Sequence, residues 1–274
     1  MDDKDFIKKI EDAALDEIKM PKNKEYIKKV LVFKAKQQSK KMPMAVRLIP
    51  VYAVVLAIAA VSSYMMIIDY NNTDTKFNEL GGVWCTYDDH YQGGDSTVWP
   101  PASVKGENNF VKSSPGSSGK GYAIRITGTA GTKLGWDYIG VNTFLSPRST
   151  CPECVGIDLS RFTGIKFKIK GRVEAGKVVF IFPHEAHVID KSRGICKSLT
   201  SYADYEADIT KYITPNWKKV KINFRKDLKQ PDWAKPENRY DIEKVLSDAN
   251  LIKWQYENGG GHKVDIWIDK LEFY

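Results

Sequence analysis

Two sets of residues in this chain have types and spacings that could do chemistry. The first is its four cysteines, Cys85, Cys151, Cys154 and Cys196, of which Cys151 and Cys154 stand in a Cys-Pro-Glu-Cys spacing. Such a pair can close disulfides, act as a redox couple or supply half of a zinc site. A redox couple wants a thioredoxin-like βαβ setting and a zinc site wants a second paired cluster, and the sequence shows neither pattern. Two structural disulfides are therefore the first expectation, with three connectivities open. The second set is the carboxylates Asp88, Asp89, Asp137, Glu185 and Asp269. Two of them facing one cleft about 5–10 Å apart would suit glycoside hydrolysis, but nothing in the sequence shows that any two converge. No nucleophile elbow, phosphate-binding loop or HExxH is present. The sequence points to a non-enzymatic protein.

The elements that must position these residues fall into distinct regions. Residues 48–68 (LIPVYAVVLAIAAVSSYMMII) carry no charge, and at 1.5 Å per residue they are long enough to cross a hydrocarbon core of about 30 Å as one helix. Between Tyr26 and Arg47 there are basic residues and no acid, whereas the other flank opens with Asp69 and Asp74. The positive-inside bias then places the N-terminus in the cytoplasm and everything after residue 68 on the exoplasmic side of an inner or plasma membrane. A cleavable signal peptide is the rival reading, weakened by the long stretch before the apolar run. On this reading all four cysteines lie where disulfides persist.

The formal net charge of +8 looks at first like a nucleic-acid signature. Residues 1–47 hold 13 Lys and Arg against 8 Asp and Glu, so +5 belongs to them and +3 to everything after. Basic residues beside a membrane serve orientation and anionic lipid, and no nucleic-acid partner is expected. Residues 5–19 and 24–41 have helical patterning and give residues 1–47 a possible docking role toward a cytoplasmic protein.

Residues 69–80 read as a linker, and beyond them the periodicity changes to two. Residues 165–170 (IKFKIK) alternate strictly, and residues 217–224 and 264–268 do the same, whereas residues 177–182 (KVVFIF) are apolar enough to be buried on both faces. Further strands are expected at 83–87, 122–127, 135–144 and 251–256, with one short helix at 241–247. Eight or more short strands in residues 81–274 predict an all-β ectodomain, a two-sheet antiparallel jelly-roll sandwich.

Several short segments carry a resemblance, and they do so in order along the chain. Gly81-Gly82-Val83-Trp84, Tyr87-Asp88-Asp89, GGDSTVW at 93–99, GWDYIGV at 135–141, FTGIKFK at 162–168, WKKVKINFRKDLKQPDW at 217–233 and DIWIDKLEF at 265–273 resemble galactose-binding-like jelly rolls. These are domains related to family 11 carbohydrate-binding modules and to the complex I intermediate-associated protein domain. The resemblance implies a non-catalytic sandwich that binds a glycan of the β-glucan or cell-wall polysaccharide class, commonly with a structural Ca2+. Where such modules place their ligand, this sequence has Trp136, Asp137 and Tyr138, then His184 and His187, then Gln230 and Trp233, and then Trp254 and Tyr256. A sandwich core also consumes large aromatics, and Trp84, Trp217 and Trp254 are equally suited to that. For calcium the resemblance offers Asp88, Asp89 and Asp269, because the first and last strands of this architecture commonly pair. Related domains often have a Gly-Gly-Thr-Cys segment with a second cysteine, whereas residues 192–198 (SRGICKS) have only Cys196, whose partner must be Cys85 or one of the CPEC pair. A transmembrane sensor or an assembly scaffold with a protein partner is the alternative function.

Overall fold

The computed structural model describes residues 77–102, 108–146, 154–190 and 195–274. The predicted span at 48–68, the helices before it, most of the linker and Cys151 lie outside the described residues. Among the described residues no helix is long and apolar enough to cross a membrane.

Twelve strands and two short α-helices make up the described chain. The strands are β1 (Trp84–Asp88), β2 (Thr97–Trp99), β3 (Ile124–Thr129), β4 (Tyr138–Phe144), β5 (Gly164–Val173), β6 (Lys177–Phe182), β7 (Glu185–Asp190), β8 (Ile195–Ser198), β9 (Tyr205–Asp208), β10 (Lys218–Asn223), β11 (Leu251–Glu257) and β12 (Lys263–Phe273). Helix α1 (Phe224–Asp227) and helix α2 (Ile242–Ser247) lie between β10 and β11. A front sheet has the order β1-β4-β11-β6-β9, a back sheet has the order β10-β5-β12-β3-β2, and β7 and β8 form a separate hairpin. All pairings are antiparallel.

Alternation decides which side chains meet between the sheets. On β5, Ile165, Phe167 and Ile169 are buried while Lys166, Lys168 and Lys170 face out, and the same phase puts Val220, Ile222, Ile266 and Ile268 inside. From the front sheet come Trp84, Ile139, Val141, Phe180, Trp254 and Tyr256. Trp254 sits at the centre, edge-on to Phe167 and Phe180 with ring centroids 5.4 Å away in each case. Strand β6 is buried on both faces, as its apolar run predicts.

Three expectations need correction. Strands β1 and β12 lie in different sheets, so the pairing of first and last strands that would bring Asp88 and Asp89 to Asp269 does not exist here. Trp217 is half-exposed on the outside of the back sheet rather than packed in the core. Strands β2, β7, β8 and β9 were not expected, because segments such as Tyr205–Asp208 (YEAD) owe their extended form to pairing with β6 and not to any apolar rhythm of their own.

One disulfide is present among the described residues, between Cys154 and Cys196. It fastens β8 to an apolar cluster of Phe144 and Leu251 at one end of the front sheet, with Cys85 packed beside it. The α2 helix agrees with its prediction, and its start is capped by the Asp241 carboxylate, which accepts a hydrogen bond from the Glu243 N–H at 2.8 Å.

Candidate functional site

The outer face of the front sheet gathers what a ligand surface needs. The strand register lines up Tyr87, Gly140, Gln255 and Val179 as one row across β1, β4, β11 and β6. The next row is Cys85, Asn142, Lys253, Ile181 and Glu206, and on the other side stand Tyr138, Glu257 and Lys177. Gly140 is what lets the Tyr87 ring lie across the sheet. A Cβ at that position would stand 2.3 Å from the Tyr87 Cζ.

From Tyr87 a chain of polar contacts crosses the face. The Tyr87 hydroxyl donates to Gln255 Oε1 at 3.2 Å, Gln255 Nε2 donates to Glu257 Oε2 at 2.5 Å, and Lys177 Nζ is 2.8 Å from Glu257 Oε1 and 3.8 Å from Glu206 Oε1. Burial, with help from the Glu257 carboxylate, pushes the Tyr87 phenol well above its ordinary range, so it stays a neutral donor. Burial alone would lower Lys177, but the bond and charge of Glu257, together with the Glu206 and Asp208 carboxylates, outweigh it and hold the amine above the usual lysine value.

Aromatic rings continue the face on one side. Tyr87 and Tyr138 have centroids 5.9 Å apart, and Tyr138 and Trp136 are stacked at 6.4 Å with 24° between their planes. Trp136 is 49% exposed. The Tyr138 hydroxyl donates to Gln92 Oε1 at 3.0 Å, which ties the strip to the short helical turn His90–Gln92. Asp89 builds that turn from beneath. Its carboxylate accepts from the Ser96 N–H and hydroxyl and from the Tyr138 N–H.

On the other side the β7–β8 hairpin borders the face. Glu185 reaches Lys253, with 3.2 Å between Oε1 and Nζ, and its backbone carbonyl accepts from Asn250 Nδ2 at 3.0 Å. Burial raises the Glu185 carboxyl, an effect that the lysine partly offsets.

The predicted ligand residues divide on these facts. Trp136 and Tyr138 stand together on the front face. Asp137 is buried beneath them, its carboxylate accepting the successive N–H groups of Lys133, Leu134 and Gly135 at 3.0–3.2 Å, so it shapes the turn instead of meeting solvent. His184 is buried edge-on to Tyr240 at 4.5 Å, and His187 is exposed on β7 with Nε2 at 2.5 Å from Asp248. Gln230 is a staple between loops, donating to the carbonyls of Ala203 and Asn238 and accepting from the Tyr240 N–H. Trp233 is 65% exposed on the loop after β10 and α1. Trp254 and Tyr256 are fully buried in the core and cannot meet a ligand.

That last correction shows what the sequence reading missed. In Leu251–Glu257 (LIKWQYE) the two aromatics do share a face, but it is the inner one, and the wet face carries Lys253, Gln255 and Glu257. The polar phase of the alternation was the available signal for these three. Tyr87 and Lys177 had no local signal, since Gly140 and the register create their setting.

The carboxylates named for calcium do not come together. Asp89 is saturated by the contacts above, Asp88 accepts from the His90 N–H at 3.1 Å, and Asp269 accepts from the N–H groups of Ser117 and Lys270 at 2.6 and 2.7 Å. Among the described residues no group of three or more His, Cys, Asp or Glu is arranged to hold a metal ion. These residues do not fit a shared calcium site.

No protein-family model matches the chain. Among curated proteins it is similar to endoglucanase 3 of Fibrobacter succinogenes, at 25% identity over 208 residues, which is 74% of this chain and 25% of the endoglucanase. The chain thus spans about a quarter of the length of that relative. Among solved structures it is similar to the family 11 carbohydrate-binding module from Clostridium thermocellum in complex with a β-1,3-1,4-mixed-linked tetrasaccharide, with a TM-score of 0.44 and 18% identity over 77% of this chain and 94% of that one. It is also similar to a family 30 carbohydrate-binding module of a cellulosomal cellulase of the same organism, with a TM-score of 0.40 and 16% identity over 66% of this chain and 90% of that one.

Proposed function

We propose that the sandwich is a non-catalytic carbohydrate-binding module that takes a glycan of the β-glucan or cell-wall class on the outer face of its front sheet. The observation that carries the reading is the strip Trp136–Tyr138–Tyr87, which runs directly into the chain of donors and acceptors formed by Gln255, Glu257 and Lys177. A pyranose ring has apolar C–H faces that stack on aromatic planes and a rim of hydroxyls that exchange hydrogen bonds, so its recognition needs both kinds of group side by side. The similarity to a quarter of an endoglucanase supports the same substrate class. The front-face carboxylates Glu185 and Glu257 are each bound to a lysine, which suits fixed hydrogen-bond acceptors better than a hydrolytic acid. We place residues 48–68 as a membrane anchor for this module, with the sandwich exoplasmic.

The test is titration calorimetry of the 274-residue chain with mixed-linked and cellulosic oligosaccharides, with a parallel assay for released reducing ends. Binding without hydrolysis is the expected outcome, weakened by Tyr138→Ala and by Trp136→Ala. Absence of binding across a panel of neutral glucans, xylans and peptidoglycan fragments would overturn it, and so would release of reducing ends.

A further inference from the structure

The opposite side of the sandwich is chemically unlike the front. Across the outer face of the back sheet, aromatic and cationic side chains alternate from strand to strand. Trp217 leads into β10, Lys170 is on β5, Trp267 on β12, Arg125 on β3 and Trp99 on β2. Trp267 is the direct register partner of both Lys170 and Arg125. The Lys170 Nζ stands 5.0 Å from the Trp217 ring centroid and 4.7 Å from that of Trp267, and the Arg125 guanidinium stands 4.8 Å from Trp267. Trp99 is 42% exposed at the far edge, one pleat repeat along, opposite Thr127. Beside it a hollow of about 340 Å³ is lined by Thr97, Trp99, Thr127, Thr129 and Lys263.

Two features of this face are unexplained by folding alone. The first is its charge. Lys168 and Lys219 are direct cross-strand partners, as are Lys166 and Lys221, and like charges placed opposite each other destabilise a sheet. Glu272 answers Lys166, while Lys168, Lys170 and Lys219 form no ion pair among the described residues. Asp269, the register neighbour of Lys168, is turned to the N–H groups of Ser117 and Lys270. The second is the indole spacing. Trp217 and Trp267 are two strands apart, about 9.6 Å, a repeat set by the sheet, and both indoles are partly exposed on the face that carries the hollow at Trp99. The structure therefore offers indole platforms with a cation against each; Asp265 pairs with Arg125 and Glu272 with Lys166, but Lys168, Lys170 and Lys219 have no ion-pair partner among the described residues.

We propose that this face is a second glycan-binding surface, for a polysaccharide that carries carboxylates, with the chain lying across the strands along Trp217, Lys170, Trp267, Arg125 and Trp99. The indoles stack on successive sugar faces, and Lys168, Lys170 and Lys219 meet the uronate groups. Nucleic acid fits less well. A duplex presents a charge about every 1.7 Å, far denser than cations set on alternate strands. The proposal stands independently of the front face, since it uses different residues and a different polymer.

The experiment is affinity electrophoresis and calorimetry of the 274-residue chain with polygalacturonate, with its fully methyl-esterified form, and with a DNA duplex. Polygalacturonate is expected to bind and to weaken steeply with salt, while the esterified polymer binds about tenfold less tightly or not at all. Trp267→Ala and Lys170→Met are each expected to raise the dissociation constant by about five- to tenfold. Lys168→Glu with Lys219→Glu, both at the surface and outside the core, repeats the test where Trp267→Ala costs folding. Tyr87→Ala on the front face should leave polygalacturonate binding unchanged. Equal binding of the esterified polymer, tighter binding of DNA than of polygalacturonate, or wild-type affinity in the Lys168→Glu/Lys219→Glu variant would each overturn the proposal.

Discussion

Under the function proposed above, replacing Tyr87 separates the two contributions that the front face would make to a bound sugar. Tyr87→Phe keeps the ring over Gly140 and removes only the hydroxyl, which stands 3.2 Å from Gln255. One neutral hydrogen bond is worth about 0.5–1.5 kcal/mol, so affinity for a mixed-linked oligosaccharide should fall by about two- to twelvefold. Tyr87→Ala removes the stacking plane as well, a further loss of about 0.5–1.5 kcal/mol beyond area burial, for a total of about five- to 150-fold. Gly140→Ala tests the same ring without replacing it. The new Cβ would come 2.3 Å from Tyr87 Cζ and 2.8 Å from the Trp254 carbonyl oxygen, so the ring must swing away. Affinity should drop to the level of Tyr87→Ala even though the tyrosine is present, with about 1–3 kcal/mol lost in stability from overpacking. Calorimetric titration gives the affinities, and a denaturant melt gives the stability. A Tyr87→Ala protein that melts as wild type and binds within twofold of it would refute the assignment of this face.

Two further predictions concern what holds the end of the front sheet in shape. The Cys154–Cys196 bridge closes a loop with a sequence separation of 42, for which the chain-entropy estimate is about 4 kcal/mol, so Cys196→Ser should shift the denaturant midpoint markedly and a strong reductant should do the same; an unchanged midpoint in both would show the bridge to be dispensable. His184 is held below its ordinary value of 6.5 by burial, and its Nδ1 has no hydrogen-bond partner among the described residues. The unfolded chain therefore takes up this proton first, and the His184 contribution to stability falls as pH drops below about 6.5 toward the lowered folded value. Glu185, raised by burial, acts in the opposite sense, gaining stability as pH falls through its raised value toward 4.5. The difference in thermal midpoint between wild type and His184→Phe across that range isolates the histidine, and identical pH profiles would contradict its neutral burial.

The architecture was legible because alternation is a local signal. Ile165, Phe167 and Ile169 declare the inner face of β5 within six residues, and the apolar run of β6 declares burial on both sides. What periodicity cannot give is which face of a strand meets ligand, and Trp254 with Tyr256 shows the cost of choosing by residue type. Large aromatics are selected by the core as strongly as by a sugar, and it is the polar phase of β11 that marks its outward face. That Trp136 and Tyr138 share a face is legible because both belong to one segment. Tyr87 and Gln255 are 168 residues apart in sequence and meet only through register, beyond any local pattern. The carboxylates named for calcium stay apart for a related reason, because grouping Asp88 and Asp89 with Asp269 assumes a pairing of β1 with β12 that the sheet order does not contain.

The same limit applies to charge, and it separates the two faces of the sandwich. Summed over the region beyond residue 47, the chain carries only +3, which reads as a surface without polarity. Folding sorts that modest excess unequally. On the front face Lys177 lies between Glu257 and Glu206, and Lys253 is bound to Glu185, so each cation is matched by a carboxylate and this face is close to neutral. On the back face three lysines of β5 and two of β10 project the same way, and Glu272 answers only one of them. Strand alternation gives every second residue to solvent, and here those residues are lysines on two adjacent strands. A neutral glycan can be recognised on the first surface without leaving a buried charge unpaired, whereas the second gains most from a ligand that brings its own anions. Net charge, taken over the whole sequence, hides both properties because it averages across faces that no single ligand touches together.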